Sequence, residues 1–488
     1  MLHLASSPAL RPARRLPAAL VAGAAALVLA GCSTAVLAPK VDVPDRFAAA
    51  APGPIEPEAA WWDSYGDPVL ADLVRRAARE NRDVRIAAER VRAARAGETV
   101  SRSWLMPSLG VSAKGIDNST GYDAGIRQQM PDTRGRAAGL DVSWEVDLSG
   151  RLRAGASAAA SDVLAAEYGA RGVRLLAISD VATNYFTLSG ALRQLETVRA
   201  ISAAQDETLR LVTARQSVGL ATAFDVERAQ TAAAQARAAI PPLETGAAVA
   251  RHRMAVLVGG QAFNAGAIVP WNGAVAVPQA RPGQPATLLK RRPDVLALMA
   301  QVDAANARRR EAAAEWFPRL FLHASFGRES LSINGASIGA ARFTNAAALL
   351  AMPIFNAGRT SAINDIAAAG QSESVLRAED GMVRALEDVE NALVALQQER
   401  NRAESLRLAA TSADAALGRA RSLHERGQID LLPLLDAQRQ RLVVSMNANE
   451  SDTALLVDSV RLYKALGGGW EVFEPAAPAA KTTTTSIL

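Results

Sequence analysis

A chain of 488 residues with a single cysteine has no disulfide to form and no cysteine cluster with which to hold a metal. Histidine is almost as scarce. His252, His323 and His424 stand far apart, none with a second histidine at metal-ligand spacing, so a zinc site has nothing to build on. Eight methionines offer no soft-metal relay, and no phosphate-binding glycine loop is present. No cofactor is expected. Aromatic residues are only 5% of the chain. The ordinary apolar fraction of 49% is therefore carried by small and aliphatic residues, with abundant alanine, leucine and arginine, the composition of long helices rather than of a β-rich core. The length allows two to four ordinary domains or one large repeated structure.

Bases outnumber acids by 54 to 49, but part of that excess is local. Arg11, Arg14 and Arg15 precede an apolar stretch of 15 residues, Leu16 to Ala30, too short and wrongly flanked to span a membrane. Leu29-Ala30-Gly31-Cys32 follows at once. A small pair followed by the only cysteine reads as a bacterial lipobox, with residues 1–31 removed as a signal peptide and Cys32 diacylated at the head of a linker, 32–59. A buried free cysteine is the alternative, but the Pro-rich sequence through Pro57 has no core-like periodicity. Cleavage removes three arginines and no acid, leaving 51 bases against 49 acids and a charge of +2. No Lys/Arg block is interleaved with aromatics, so nucleic acid is excluded as a partner. Acyl chains at Cys32 would instead tether the protein to a membrane.

The remainder repeats itself. An offset of 211 relates Asp83 to Asp294, Val91 to Val302 and Pro107 to Pro318, and an offset of 208 relates Gly150-Arg151 to Gly358-Arg359, Val181 to Val389 and Gly219 to Gly427. Two units follow, 60–275 and 285–466, joined by a Pro/Gly-rich stretch. A tail, 467–488, ends in Ala/Pro and Thr runs and is expected to be disordered at its end, from Glu474 to Leu488. The change of offset places an irregular loop near residues 117–135.

Within each unit the hydrophobic period changes twice. Pro68 to Trp104 is helical; Leu109, Val111 and Ala113 then alternate with polar or small residues, as do Leu140, Val142, Trp144, Val146 and Leu148, a strand of about nine residues. The second unit gives Leu320, Leu322, Ala324 and Phe326, then a weaker strand from Phe343 to Phe355, for four strands in two separated hairpins. Strands of this length suit a bilayer, although a soluble hairpin on a helical body remains the alternative. Four strands cannot close a barrel, so the membrane reading requires several chains, and three would supply twelve.

Beyond each hairpin the helical pattern runs unbroken. Gly150 to Val218 spans on the order of 100 Å at about 1.5 Å per residue. Val181, Tyr185, Leu188, Leu192 and Leu195, and Met382, Leu386, Val389, Leu393 and Leu396, keep heptad spacing, the seam of a coiled coil. Gly219 and Gly427 suit left-handed C-caps at helix-turn tips. Thr222 with Asp225, and Asp430 with Pro433, begin shorter returning helices, about 222–258 and 430–466.

Trp61-Trp62-Asp63-Ser64-Tyr65-Gly66-Asp67-Pro68, Arg291-Arg292-Pro293-Asp294-Val295, Pro353-Ile354-Phe355-Asn356-Ala357-Gly358-Arg359, Leu435-Asp436-Ala437-Gln438 and Leu462 to Trp470 together resemble the outer membrane factor family of TolC-like channels, in its NodT-type lipoprotein branch. The resemblance covers Cys32 to Trp470. It implies a mainly α fold with transmembrane β: a homotrimer whose shared 12-stranded outer membrane β-barrel, four strands per chain, continues into a long periplasmic α-helical coiled-coil barrel. It further implies passive conduction of small toxic compounds received from an inner membrane RND permease through a periplasmic adaptor. In the family, acidic residues at the tips close the tunnel. Asp225 occupies the first such position and Asp436 the later of two at the second tip, the earlier being Pro433. Asp225 reads equally well as a helix N-terminal residue.

Enzymatic readings find little support. Gly335-Ala336-Ser337-Ile338-Gly339 fits a nucleophile elbow, but that motif needs a strand-to-helix turn and here falls between two strands. Two other functions stay open: a structural envelope lipoprotein that conducts nothing, and the exit duct of a type I protein secretion system.

Overall fold

A computed structural model describes residues 34–48, 59–119, 121–127, 129–260, 268–270, 277 and 283–474. The signal segment, Cys32 and Ser33, linker residues 49–58 and the end of the tail lie outside the described residues. The chain forms two compact units, the first drawn from Met1–Ala38, Val100–Ala158 and Ala304–Glu373, the second from Pro39–Thr99, Ala159–Asp303 and Ser374–Leu488. In chain order the main elements are α1 (Pro68–Glu80), α2 (Arg82–Ser103), β1 (Ser108–Asn118), β2 (Thr133–Val146), α3 (Arg151–Ser217), α4 (Ala223–Ala238), α5 (Ile240–Leu257), α6 (Pro293–Ala313), β3 (Arg319–Ile333), β4 (Ala336–Ala351), α7 (Arg359–Glu425) and α8 (Leu431–Ala465).

The first unit is built on one antiparallel sheet in the order β1-β2-β3-β4. The two hairpins are thus not separate: β2 pairs with β3 from Thr133↔Ile333 to Val146↔Leu320. Sequence separation hid this join, because each hairpin taken alone leaves both outer edges unpaired and gives no hint of a partner for either. The strands are also longer than their alternation suggests. β2 gains Thr133 to Gly139, where Ala, Gly and Arg blur the period of two. It ends at Val146, and the Asp147 carboxylate instead accepts the backbone N–H groups of Leu152 (3.3 Å) and Arg153 (3.0 Å), capping α3. The weak strand expected to reach Phe355 stops at Ala351, ahead of Pro353, whose missing N–H suits a strand end.

Helices dominate the second unit. α3 and α7 are each 67 residues long, and each is followed, after five intervening residues, by a returning helix, α4 at Ala223 and α8 at Leu431. Gly219 (φ 80°) and Gly427 (φ 69°) occupy left-handed C-caps. In both, the next residue's N–H reaches back five places, Leu220 to the Arg215 carbonyl at 2.8 Å and Gln428 to the Leu423 carbonyl at 2.9 Å, closing a Schellman turn. Two expected continuous helices are broken. Asn81 interrupts Pro68 to Trp104, its side-chain oxygen accepting from Asp83 N and Val84 N while its Nδ2 donates to the Leu257 carbonyl. Ala239 interrupts 222–258, because Pro241 and Pro242 deprive the preceding turn of two N–H donors.

The heptad positions Val181, Tyr185, Leu188 and Leu195 are buried, as are Val389 and Leu396, with Leu192, Leu386 and Leu393 packed beside them. Along α3 and α8 the contact is partly polar. Thr197 Oγ1 accepts from Asn449 Nδ2 (3.0 Å), Thr208 Oγ1 from Gln438 Nε2 (3.1 Å), and buried Asp452 joins Arg193 of α3 (3.1 Å) to Arg407 of α7 (2.6 Å). Paired polar groups inside a helix seam fix its register at some cost in stability. At Gly190 the two helices approach closely: a Cβ there would lie 2.1 Å from Thr453 Oγ1. Gly190→Val should cost about 2 to 3 kcal/mol by overpacking, and Thr453→Ala should recover part of the loss. Thermal unfolding of the two variants checks both statements; an unaltered Gly190→Val midpoint would remove this contact from the account.

Candidate functional site

Opposed residues in an antiparallel sheet share a face, so the register sorts the four strands into two surfaces. One carries the rungs Val146–Leu320–Leu350, Trp144–Leu322–Ala348, Leu109–Val142–Ala324–Ala346 and Val111–Leu140–Phe326–Thr344, bounded on the hairpin-turn side by Arg328 and Arg342. The other carries Ser108–Ser143–His323–Ala347 and Gly110–Asp141–Ser325–Asn345. An apolar surface backs a polar one. On this surface Leu109, Val111, Phe326 and Leu350 are exposed, Val111 82% and Leu350 63% accessible, while Leu140, Val142, Trp144, Val146, Leu320 and Leu322 are half-buried. β1 and β4 each pair on one side only, so their outer backbone groups await partners.

The second candidate region is formed by the two helix turns. At the first, a reciprocal capping box is closed: Asp225 Oδ2 accepts from Thr222 N (2.9 Å) and Thr222 Oγ1 (2.7 Å), and Asp225 N donates to Thr222 Oγ1 (3.2 Å). Those bonds from Thr222 hold the Asp225 carboxyl below its ordinary range. At the second turn Asp430 has the extended backbone of an N-cap but no side-chain bond. Pro433 is the cause, since it stands at the third helical position and has no N–H to donate. Asp436 is exposed and pairs with Arg439 at 2.8 Å. It lines a cavity of about 590 Å³ with Phe224, Glu227, Arg228 and Leu432, and Arg228 lies over the Phe224 ring at 5.4 Å. The sequence marked Asp225 and Asp436 as equivalents, but only the second presents its carboxylate to the cavity. Phe224 and Arg228 were not singled out; their adjacency to the turn, four residues apart on one helix face, was the available signal.

The scattered motifs meet in the second unit. Trp61 Nε1 donates to the Gly468 carbonyl (3.2 Å), the Trp61 ring stacks on Tyr463 at 5.1 Å, and Trp62 stacks on Phe473 at 5.7 Å. Arg291 pairs with Glu471 at 2.7 Å, while Arg292 binds Asp294, Asp388 and the carbonyls of Ala385 and Ala465. These residues hold the unit's chain ends together.

Gly335 turns the β3–β4 hairpin and Ser337 lies in β4, so no strand-to-helix elbow exists around that serine. His252 is in α5, His323 in β3 and His424 at the end of α7; among the described residues no three His, Cys, Asp or Glu side chains converge as a metal site. Cys32 itself is not among the described residues. The segment just after it is held down: Gln371 Nε2 donates to the Ala35 carbonyl (2.9 Å), and Asn306 bonds both the N–H (3.1 Å) and the C=O (3.0 Å) of Leu37.

Comparison with known proteins gives matches along most of the chain. The family model described as outer membrane efflux protein matches residues 73–260 and 285–468. "Outer membrane protein OprJ" of Pseudomonas aeruginosa is 31% identical over 453 residues, 91% of this chain and 95% of that protein. "Cation efflux system protein CusC" of Escherichia coli O6:H1 is 27% identical over 93% of this chain and 99% of its own length. Among solved structures, the outer-membrane channel OprN superposes with a TM-score of 0.79 at 28% identity, covering 90% of this chain and all of that one.

Proposed function

We propose, from the premise that this chain belongs to the outer membrane efflux protein family, that it is the outer membrane channel of a tripartite efflux pump of the RND type. The observation that carries this reading is a four-stranded sheet with a partly exposed apolar face, a polar reverse face and two open edges. Open edges are not stable in hydrocarbon, and four strands are too few to close. Three copies, each pairing its β1 with the next copy's β4, give a closed barrel of twelve strands, apolar face to lipid and polar face to a water-filled lumen. The coiled-coil helices of the second unit, three sets together, form the periplasmic conduit, and Cys32 supplies an acyl anchor in the outer membrane.

The chain performs no reaction of its own and has no cofactor. Its cargo moves passively, driven by an inner membrane RND permease and delivered through a periplasmic adaptor. Small compounds are favoured over a secreted protein as cargo because the matching family and a relative are described as efflux proteins. Deletion of the gene should sensitise cells to a panel of toxic compounds, with plasmid-borne protein restoring growth, and purified trimers should conduct ions in planar bilayers. Trimers that insert but conduct nothing would leave only a structural envelope role.

At the tips we assign the closing role to Asp436, which presents an acidic group from each of three chains, and a capping role to Asp225. Asp436→Ala should raise single-channel conductance, whereas Asp225→Ala should chiefly loosen the first turn. Equal conductance in wild type and Asp436→Ala sinks the acidic constriction.

A further inference from the structure

One rung of the polar sheet face departs from its neighbours. Ser112, Gly139, Gly327 and Phe343 lie opposite one another across all four strands. β4 is exposed at every position but one, and that one is Phe343. Its ring reaches across to Gly139: a Cβ there would come within 3.0 Å of the ring's Cζ and 2.8 Å of the Phe326 carbonyl oxygen. A Cβ on Gly327 would be 2.3 Å from the Ala138 carbonyl oxygen. Two side-chain-free positions side by side leave a flat floor, and an aromatic ring laid on it shields the bare backbone. The adjacent rungs on this face carry Asp141, Ser325 and Asn345 on one side and Lys114 and Glu329 on the other, so the ring has polar neighbours, with the next large apolar side chains two rungs away at Ile116 and Leu331 and three rungs away at Phe321 and Leu349.

We propose that Phe343 is a cargo-contacting residue of the lumen, held flat by a niche of Gly139 and Gly327, and that it selects for flat aromatic cargo. The inference rests on the reading above that the polar face lines the lumen. A ring lying against the wall buries one π-face and presents the other to the water-filled bore. There it can stack with an aromatic solute, or attract an aromatic cation, without narrowing the path. Threefold repetition places three such rings at one level. A contact of this kind is weak enough to release what it holds, which conduction requires.

The test uses purified full-length trimers in planar bilayers, with ethidium as the flat aromatic probe and deoxycholate as a non-aromatic one, both added from the hairpin-turn side. In Phe343→Ala the dwell time of ethidium block should fall by about two- to tenfold, the range expected for loss of one aromatic stack. Phe343→Trp should retain it, and deoxycholate block should be the same in all three proteins. Unchanged ethidium dwell in Phe343→Ala overturns the proposal. A separate measurement isolates the underlying reading. Phe343→Cys in a conducting trimer should react with a membrane-impermeant maleimide, with the wild-type chain as control. Conduction without labelling defeats the Phe343 assignment and leaves the channel standing, whereas trimers that never conduct defeat both.

Discussion

Trp61→Ala is expected to lower the stability of the folded chain by about 3 to 5 kcal/mol, the range for deleting a large aromatic from a packed interior. Trp61 is fully buried. Its ring stacks on Tyr463 near the end of α8 and meets Trp62 and Tyr65 edge-on, at 5.6 and 6.3 Å. Its N–H bond to Gly468 is one that no aliphatic residue replaces, and Gly469 has no room for a side chain, since a Cβ would lie 2.8 Å from Trp61 Nε1. Trp61→Phe should recover part of the stacking and none of the hydrogen bond, falling between the two. The temperature at which trimers dissociate on unheated gels, read with protease sensitivity in cells, checks the order. A Trp61→Ala protein as heat-resistant as wild type would show that this cluster does not hold the unit closed.

Arg292→Leu has an effect of similar size by a different route. The guanidinium donates to Asp294 Oδ1 (3.1 Å) and Oδ2 (2.7 Å), to Asp388 (3.0 Å), and to the carbonyls of Ala385 (3.3 Å) and Ala465 (3.1 Å). Leucine fills much of the space and satisfies none of these acceptors. The expected loss is about 2 to 4 kcal/mol, discounted because Asp294 and Asp388 keep more than half their side-chain surface in water and can rehydrate. Arg292→Lys should rescue little, as one ammonium cannot span acceptors that a planar fork reaches. A pH dependence follows. Burial works to raise the Asp294 carboxyl, but the hydrogen bonds and charge of Arg292 outweigh it and hold the group below its ordinary value. A depressed folded-state value means the contribution is complete above the unfolded carboxylate range, about pH 4, and disappears as pH falls through the folded value. The stability gap between wild type and Arg292→Leu should therefore be constant near neutrality and narrow in acid. A gap that widened in acid would contradict the assignment.

What the sequence disclosed about these regions followed from how local each signal is. The long helices were legible almost to the residue because their ends are set by Gly150, Gly219, Gly358 and Gly427, whose backbone freedom is a property of one position. Strand cores showed through where Leu140 to Val146 and Leu320 to Phe326 alternate. The pairing of β2 with β3 was not legible, since it joins residues about 200 positions apart and no local pattern encodes it. The break at Asn81 had a signal in a good N-cap residue, and that at Ala239 in two consecutive prolines, but each lay inside an otherwise continuous helical period. At the tips, sequence marked both aspartates and offered Asp225 a helix N-terminal role as readily as a closing one, without deciding between them. The difference arises from the hydroxyl of Thr222, which captures Asp225, and from Pro433, which leaves the second turn uncapped. The niche beneath Phe343 depends on two glycines and a ring brought together from three strands, and became visible only with the register.

The equal lengths of α3 and α7 restrict how this protein can be shortened or extended. Thr208 reaches Gln438, Thr197 reaches Asn449 and Arg193 reaches Asp452, all at matched heights along neighbouring helices. Removing one heptad from α3 alone keeps its apolar stripe in phase but slides every one of these partners by about 10 Å. Matched removals from α3, α7 and the returning helices α4–α5 and α8 would keep the rungs aligned. The helices therefore behave as coupled rulers, and a duct fitted to a different envelope spacing must be recut in all of them together.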